Sequence, residues 1–164
     1  MYRRALTLIE VVVVLAVLGV LLTIGVPNFS TWRDRNAVGT AARDVESILK
    51  LARSKSLASE EGALYGVFFT SAGSKHSLCK NPAASCGTLV NDYFLPGNLV
   101  FCPTPQDVTF SKLSGSTQAD ETVYFYNKNI ASLCGNQPAL DACILAKTCG
   151  GVIAAQSGVI YEKK

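Results

Sequence analysis

Between Arg4 and Arg33 the chain carries a single charged residue, Glu10, and from Val11 to Val26 it carries none. Wound as a helix at about 1.5 Å per residue, the run "LTLIEVVVVLAVLGVLLTIGVP" (residues 6–27) reaches roughly 30 Å, the thickness of one bilayer core. A carboxylate in such a run is costly, roughly 2.5 kcal/mol or more at a helix centre in lipid. Glu10 is therefore expected to face a partner, and that partner to sit on another molecule. Two arginines, Arg3 and Arg4, precede the run and a polar domain follows it. By the positive-inside rule the C-terminal part faces out of the cytoplasm.

At 164 residues there is room for one ordinary domain beside the apolar segment. The net charge is +3, and without Arg3 and Arg4 the remainder holds 13 Lys and Arg against 12 acids. Such a balance points neither to a nucleic-acid binder nor to a disordered tail. All six cysteines, Cys79, Cys86, Cys102, Cys134, Cys143 and Cys149, lie in the exported part, where an even count suggests disulfides. None has the short C-x₂₋₄-C spacing of a structural zinc site, and the one histidine, His76, has no matching ligand. Neither a metal nor a cofactor is expected. A single histidine also leaves no credible Ser/His/Asp set, and no Gly-rich phosphate loop is visible, so an enzyme is not expected.

The helical pattern runs from about Leu6 to about Ser59, with Pro27 expected to kink it or loosen it locally. Beyond Pro27 the run becomes one-sided: Val38, Ala41, Ala42, Val45, Ile48, Leu49 and Ala52 recur at helical spacing. Arg43, Glu46, Lys50 and Arg53 form the opposite face, expected to be solvated, and Gly62 supplies a stop. From Ala63 the chain turns to strands. "ALYGVFFT", "NLVFC", "DVTFSKL" and "ETVYFYN" are rich in β-branched and aromatic residues, and "GGVIAAQSGVIYEKK" reads as a hairpin about Ser157-Gly158. "CKNPAASC" and "CGNQPALDACILAKTC" read as loops. The expected class is α+β, divided into 1–5, 6–27, 28–60 and a β-rich head at 61–164. Of the 15 pairings that six cysteines allow, Cys79 with Cys86 is favoured by their short intervening loop. The other four still allow three pairings, among which sequence alone does not choose; Cys134 with Cys143 and Cys102 with Cys149 is the expectation.

A short basic leader, a small residue, "LTLIE" and an apolar helix ending at proline together resemble the prepilin signature of type IV pilins and type II secretion pseudopilins. The resemblance implies a pilin fold and cleavage by prepilin peptidase between Ala5 and Leu6, removing "MYRRA", followed by N-methylation of Leu6. The residue before the cut is usually glycine in that family, and here it is Ala5. Glu10 takes the family's glutamate position and Pro27 its kink-forming proline. Cutting creates a charged amine on Leu6, and in a staggered fibre Glu10 of one subunit can pair with the amine of its neighbour. The implied partners are other pilin or pseudopilin subunits, the peptidase, the inner-membrane assembly platform and the membrane itself. Localisation follows: a single-pass inner-membrane protein with its head periplasmic or extracellular, then a filament subunit.

Leu49, Ala52, Arg53 and Ser54, with Ser56 at the final small position, resemble the L-x-x-A-R-S-x-A helix of the GspH/FimT-like minor pseudopilins and minor pilins. "GGVIAAQSGVIYEKK" is similar to that group's closing hairpin, with Gly158 in the turn. The segment from Cys79 to Cys149 has no counterpart there. The alternatives are a major pilin and a DNA-capturing minor pilin. Lys75, Lys80, Lys112, Lys163 and Lys164 are the candidate contacts for nucleic acid, but the closing segment lacks the arginine that the group carries. An ordinary secretory signal with a site near Thr23-Ile24-Gly25 fits less well, because the apolar core is long and contains Glu10.

Overall fold

A computed structural model describes residues 7–82, 85–102, 107–129, 134, 137–146 and 148–163; inside helices, the side chains of residues 23–31 and 137 are not described. The chain divides into two compact units, residues 1–34 and 35–164. One helix, α1, runs from Leu8 to Leu57, and its helical backbone continues through Pro27.

In the first unit the described side chains of residues 7–22 are all exposed, an apolar surface on every side of the helix. Among the described residues, no helical segment is both long and apolar enough to cross a membrane.

The second unit begins with the amphipathic half of α1. Val38, Ala41, Ala42, Val45, Ile48, Leu49 and Ala52 are all buried, as their spacing predicts. The stripe ends at Ser56, which is fully buried. Its hydroxyl accepts the Tyr65 N–H at 2.9 Å and lies 3.3 Å from the Tyr65 carbonyl, so the end of α1 is tied to the first strand. The helix stops at Leu57, ahead of Gly62. Ser59 already turns left-handed (φ 48°), and a 3₁₀ turn over Glu60–Gly62 follows.

Two antiparallel sheets follow. The first contains β1 (Tyr65–Phe69), β2 (Lys75–Lys80), β3 (Thr88–Phe94) and, beyond the intervening β4 (Leu99–Phe101), β5 (Asp107–Phe110), in the order β3-β2-β1-β5. The second places β4 beside β6 (Glu121–Asn127), β7 (Cys149–Ala154) and β8 (Ile160–Glu162), in that order. Alternate residues of β1 and β5, with Leu78 of β2, join the helix stripe in one core that takes Phe101, Val123, Phe125 and Val152 from the second sheet. Phe101 bridges the sheets, 4.9 Å from the Phe69 ring and 6.4 Å from that of Phe125. Gly150 faces Phe125 across the β6–β7 pair and leaves room for that ring: a Cβ there would lie 2.2 Å from Phe125 Cζ.

A second helix, α2 (Gln137–Leu145), covers the other face of the second sheet and was read as loop in the sequence. Leu140, Cys143 and Ile144 pack with Cys102, Tyr124 and Cys149. β6 and β7 are thus buried on both faces near their centres. β2 and β3 were also not among the expected strands.

All six cysteines are paired. Cys79–Cys86 forms as expected, whereas the other four pair as Cys102–Cys134 and Cys143–Cys149 rather than 134–143 and 102–149. The reason is α2. It presents Cys143 to the first residue of β7, with Thr148 N–H donating to the Cys143 carbonyl at 3.1 Å.

Ser56→Ala removes the acceptor for a buried Tyr65 N–H and is expected to destabilise the head by about 1–3 kcal/mol. A denaturant melt of the full chain in detergent checks this, and an unchanged midpoint would exclude the tie.

Candidate functional site

Glu10 sits in the first turn of α1, exposed. Its Oε2 accepts the Thr7 N–H at 2.9 Å and the Thr7 hydroxyl at 3.0 Å, and its own N–H donates to Thr7 Oγ1 at 3.4 Å. With Thr7 as the residue before the helix and Glu10 as its third residue, this is a reciprocal capping box that satisfies otherwise unpaired N–H groups. The T-x-x-E spacing is legible in the sequence, and the capping box adds an internal partner to the external one expected for Glu10. The cleavage and methylation positions, Ala5 and Leu6, lie outside the described residues. Pro27 lies within α1, and its side chain is not described.

In the head, the two segments that carried the finer resemblance are brought together. Arg53, expected on a solvated face, is half-buried and donates from Nε to the Gly115 carbonyl at 3.3 Å. Gly115 (φ +59°) packs on Leu57 and Arg53, and Gly158 (φ +82°) lies against Gly115 and Arg53. A Cβ on Gly158 would meet the Gly115 oxygen at 2.2 Å and Arg53 Nε at 2.7 Å. The helix motif and the closing hairpin thus meet through a loop, "SKLSGS", whose first three residues fall in the expected strand "DVTFSKL", whereas β5 ends at Phe110. Arg43 is exposed, as expected.

The candidate lysines are engaged within the chain. Lys75 pairs with Asp92 at 2.8 Å, Lys80 with Glu61, and Lys112 donates to the Gly62 carbonyl. Lys163 bonds the Tyr124 hydroxyl at 2.8 Å and Asp141 at 2.9 Å, and these two partners raise its pKa. Lys164 lies outside the described residues. Lys75, Lys80, Lys112 and Lys163 therefore make separate intramolecular contacts and are not held free for a phosphate backbone. Among the described residues, no three His, Cys, Asp or Glu side chains converge as metal ligands.

Residues 1–26 match the prokaryotic N-terminal methylation motif. No curated protein matches the sequence. The structure is similar to the type IV minor pilin FimU of Pseudomonas aeruginosa in two crystal forms, with TM-scores of 0.56 and 0.54 at 14% and 13% identity. These alignments cover 81% and 77% of this chain and 92% of FimU. It is likewise similar to the minor pseudopilin EpsH of the Vibrio cholerae type II secretion system, with a TM-score of 0.52 at 14% identity over 78% of this chain and 94% of EpsH. The chain thus carries the N-terminal methylation motif and, in its described residues, an α+β fold similar to that of a minor pilin and of a minor pseudopilin.

Two substitutions probe the two sites. Thr7→Val removes the capping hydroxyl and is expected to weaken the first turn of α1 by about 0.5–2 kcal/mol, read as faster amide exchange over residues 8–11 in micelles. Gly158→Ala should cost the head about 1–3 kcal/mol through overpacking against Gly115 and Arg53, read as a lower melting temperature.

Proposed function

We propose that this chain is a minor subunit of a type IV pilus or type II secretion pseudopilus. Prepilin peptidase trims it between Ala5 and Leu6, residues 6–27 hold it in the bacterial inner membrane, and the assembly platform draws it into a filament. The observation that carries this reading is Glu10: a carboxylate inside the methylation motif, in a part of α1 where the apolar side chains of residues 8–22 are exposed on every face. Thr7 donates two hydrogen bonds to its Oε2 but leaves its charge unneutralised.

Processing before Leu6 supplies a cation at a matching depth in a neighbouring subunit. A carboxylate and an amine buried together are tolerable, while one left alone costs about 3–5 kcal/mol. Incorporation in the wrong stagger is therefore penalised, and the pair acts on register more than on net stability. The disulfide-bonded head, oxidised at all six cysteines, fits an extracytoplasmic position. Burial of the helix stripe in the head, against exposure of Lys50 and Arg43 on the other face, fits a subunit that shows its outer helix face to neighbours. The engagement of the described lysines within the chain counts against DNA capture.

Intact mass and N-terminal sequence of protein taken from its native membrane, with and without reductant and alkylation, test the pathway. A chain beginning at N-methylated Leu6, with no thiol free before reduction, is expected. A start at Met1 or near Val26 would refute it. Glu10→Ala is expected to leave the head folded and disulfide-bonded while incorporation into sheared filaments falls at least tenfold, and normal incorporation would remove Glu10 from the assembly step.

A further inference from the structure

The histidine that the proposed function leaves unused lies in the head core. His76 of β2 is 1% exposed, and neither ring nitrogen makes a hydrogen bond of good geometry, a Ser74 backbone group being the one polar neighbour that acts on it. Its imidazole lies between Phe69 of β1, at 6.0 Å and 18°, and Tyr93 of β3, at 5.7 Å and 24°, with Phe101 of β4 edge-on at 5.4 Å. Among the described residues its ring contacts are thus phenyl groups on β1 and β4 and the Tyr93 phenol on β3. The nearest charges along the β2–β3 pair, Lys75 and Asp92, bond to each other, and Asp92 also accepts the Ser77 hydroxyl.

β3 is the edge strand on this side of the sheet. Thr88, Leu89, Val90, Asn91 and Phe94 are exposed, and Tyr93 is the residue through which β3 packs on the main core. The β2–β3 pairing is already irregular where Leu78 and Cys79 face Asn91 and Leu89. The ring that anchors β3 therefore rests on the only histidine of the chain.

We propose that His76 is an acid-sensitive latch on β3: a protonated imidazole has no place among Phe69, Tyr93 and Phe101, so acid releases the edge strand while α1 and the second sheet stay folded. Opening gives the imidazolium access to water and exposes the β2 edge to another strand. The Cys79–Cys86 bridge shortens the tether between β2 and β3, so the released strand stays local and can re-dock. Burial holds the imidazole down at about 4, with a nearby Ser74 backbone group acting the other way. In the open state its value returns to about 6.5. The closed state then binds fewer protons than the open one between these values, so latching is complete above about pH 6.5 and lost as pH falls towards 4.

Hydrogen exchange of the full chain in detergent micelles, corrected for the intrinsic pH dependence of amide chemistry, tests this. Protection across residues 88–94 is expected to fall about 30-fold between pH 7.5 and pH 5 while β6 and β7 keep theirs. His76→Phe should retain protection of β3 at pH 5. If that variant does not fold, His76→Leu serves, and the wild type gives an independent reading because one histidine means one imidazole NMR titration to compare with β3 opening. Unchanged protection in the wild type, equal loss in a folded variant, or simultaneous loss from β6 and β7 would each overturn the latch. None of these outcomes bears on N-terminal processing, so its failure is separable from that of the proposed function.

Discussion

The head is organised by the burial of one stripe of α1. Ala41, Ala42 and Ala52 are completely buried, as are Val45 and Leu49 on the same stripe. The core they belong to takes its large residues from the strands: Phe69, Phe110, Phe101 and Phe125. Small helix residues and large strand residues together fill one densely packed interior. The same stripe explains Ser56. One turn beyond Ala52 the surface meets strand backbone rather than rings, and a hydroxyl can bond an N–H that a methyl group would leave unsatisfied.

With the first sheet and the helix fixed, the second sheet has two faces to bury. Its core side is filled by Val123, Phe125 and Val152, and its outer side would expose Tyr124 if α2 were absent. Nine residues of helix are too few to be stable alone. Cys143–Cys149 at its end and the Lys163–Asp141 pair on its surface hold it to the sheet, while Leu140 and Ile144 supply the apolar contact. Disulfides cluster here because the local core is small, and cross-links in short segments offset entropy that burial alone would not.

These same facts separate what was legible in the sequence from what was not. The stripe from Val38 to Ala52 announced itself by period, and β6 matched its apolar run from Glu121 to Asn127, because in both cases local pattern and tertiary burial agree. α2 carried a signal in Leu140, Cys143 and Ile144 at i, i+3 and i+4, but the surrounding cysteines, Gly135 and Pro138 read as loop. Without the helix, Cys143 could not be matched to Cys149. β3 was missed for a different reason: an edge strand with most side chains in water has no alternation to display. Arg53 was misplaced because polarity predicts solvation, while its actual partner, the Gly115 carbonyl, lies 62 residues away.

Glu10 is the residue for which sequence and structure give complementary halves. The sequence shows a lone carboxylate in an apolar run and so demands a partner, and the structure provides Thr7 within the same turn. On the proposed function both hold, at different times. The Thr7 amide and hydroxyl make charge-assisted bonds to one carboxylate oxygen but cannot cancel the carboxylate's net charge. On that reading a neighbour's amine supplies the opposite charge that Thr7 lacks, and a misaligned subunit supplies none. On the proposed function, then, the capping box serves Glu10 before assembly and the neighbour's amine serves it afterwards, which is the balance a subunit needs if its resting state is to be left for another.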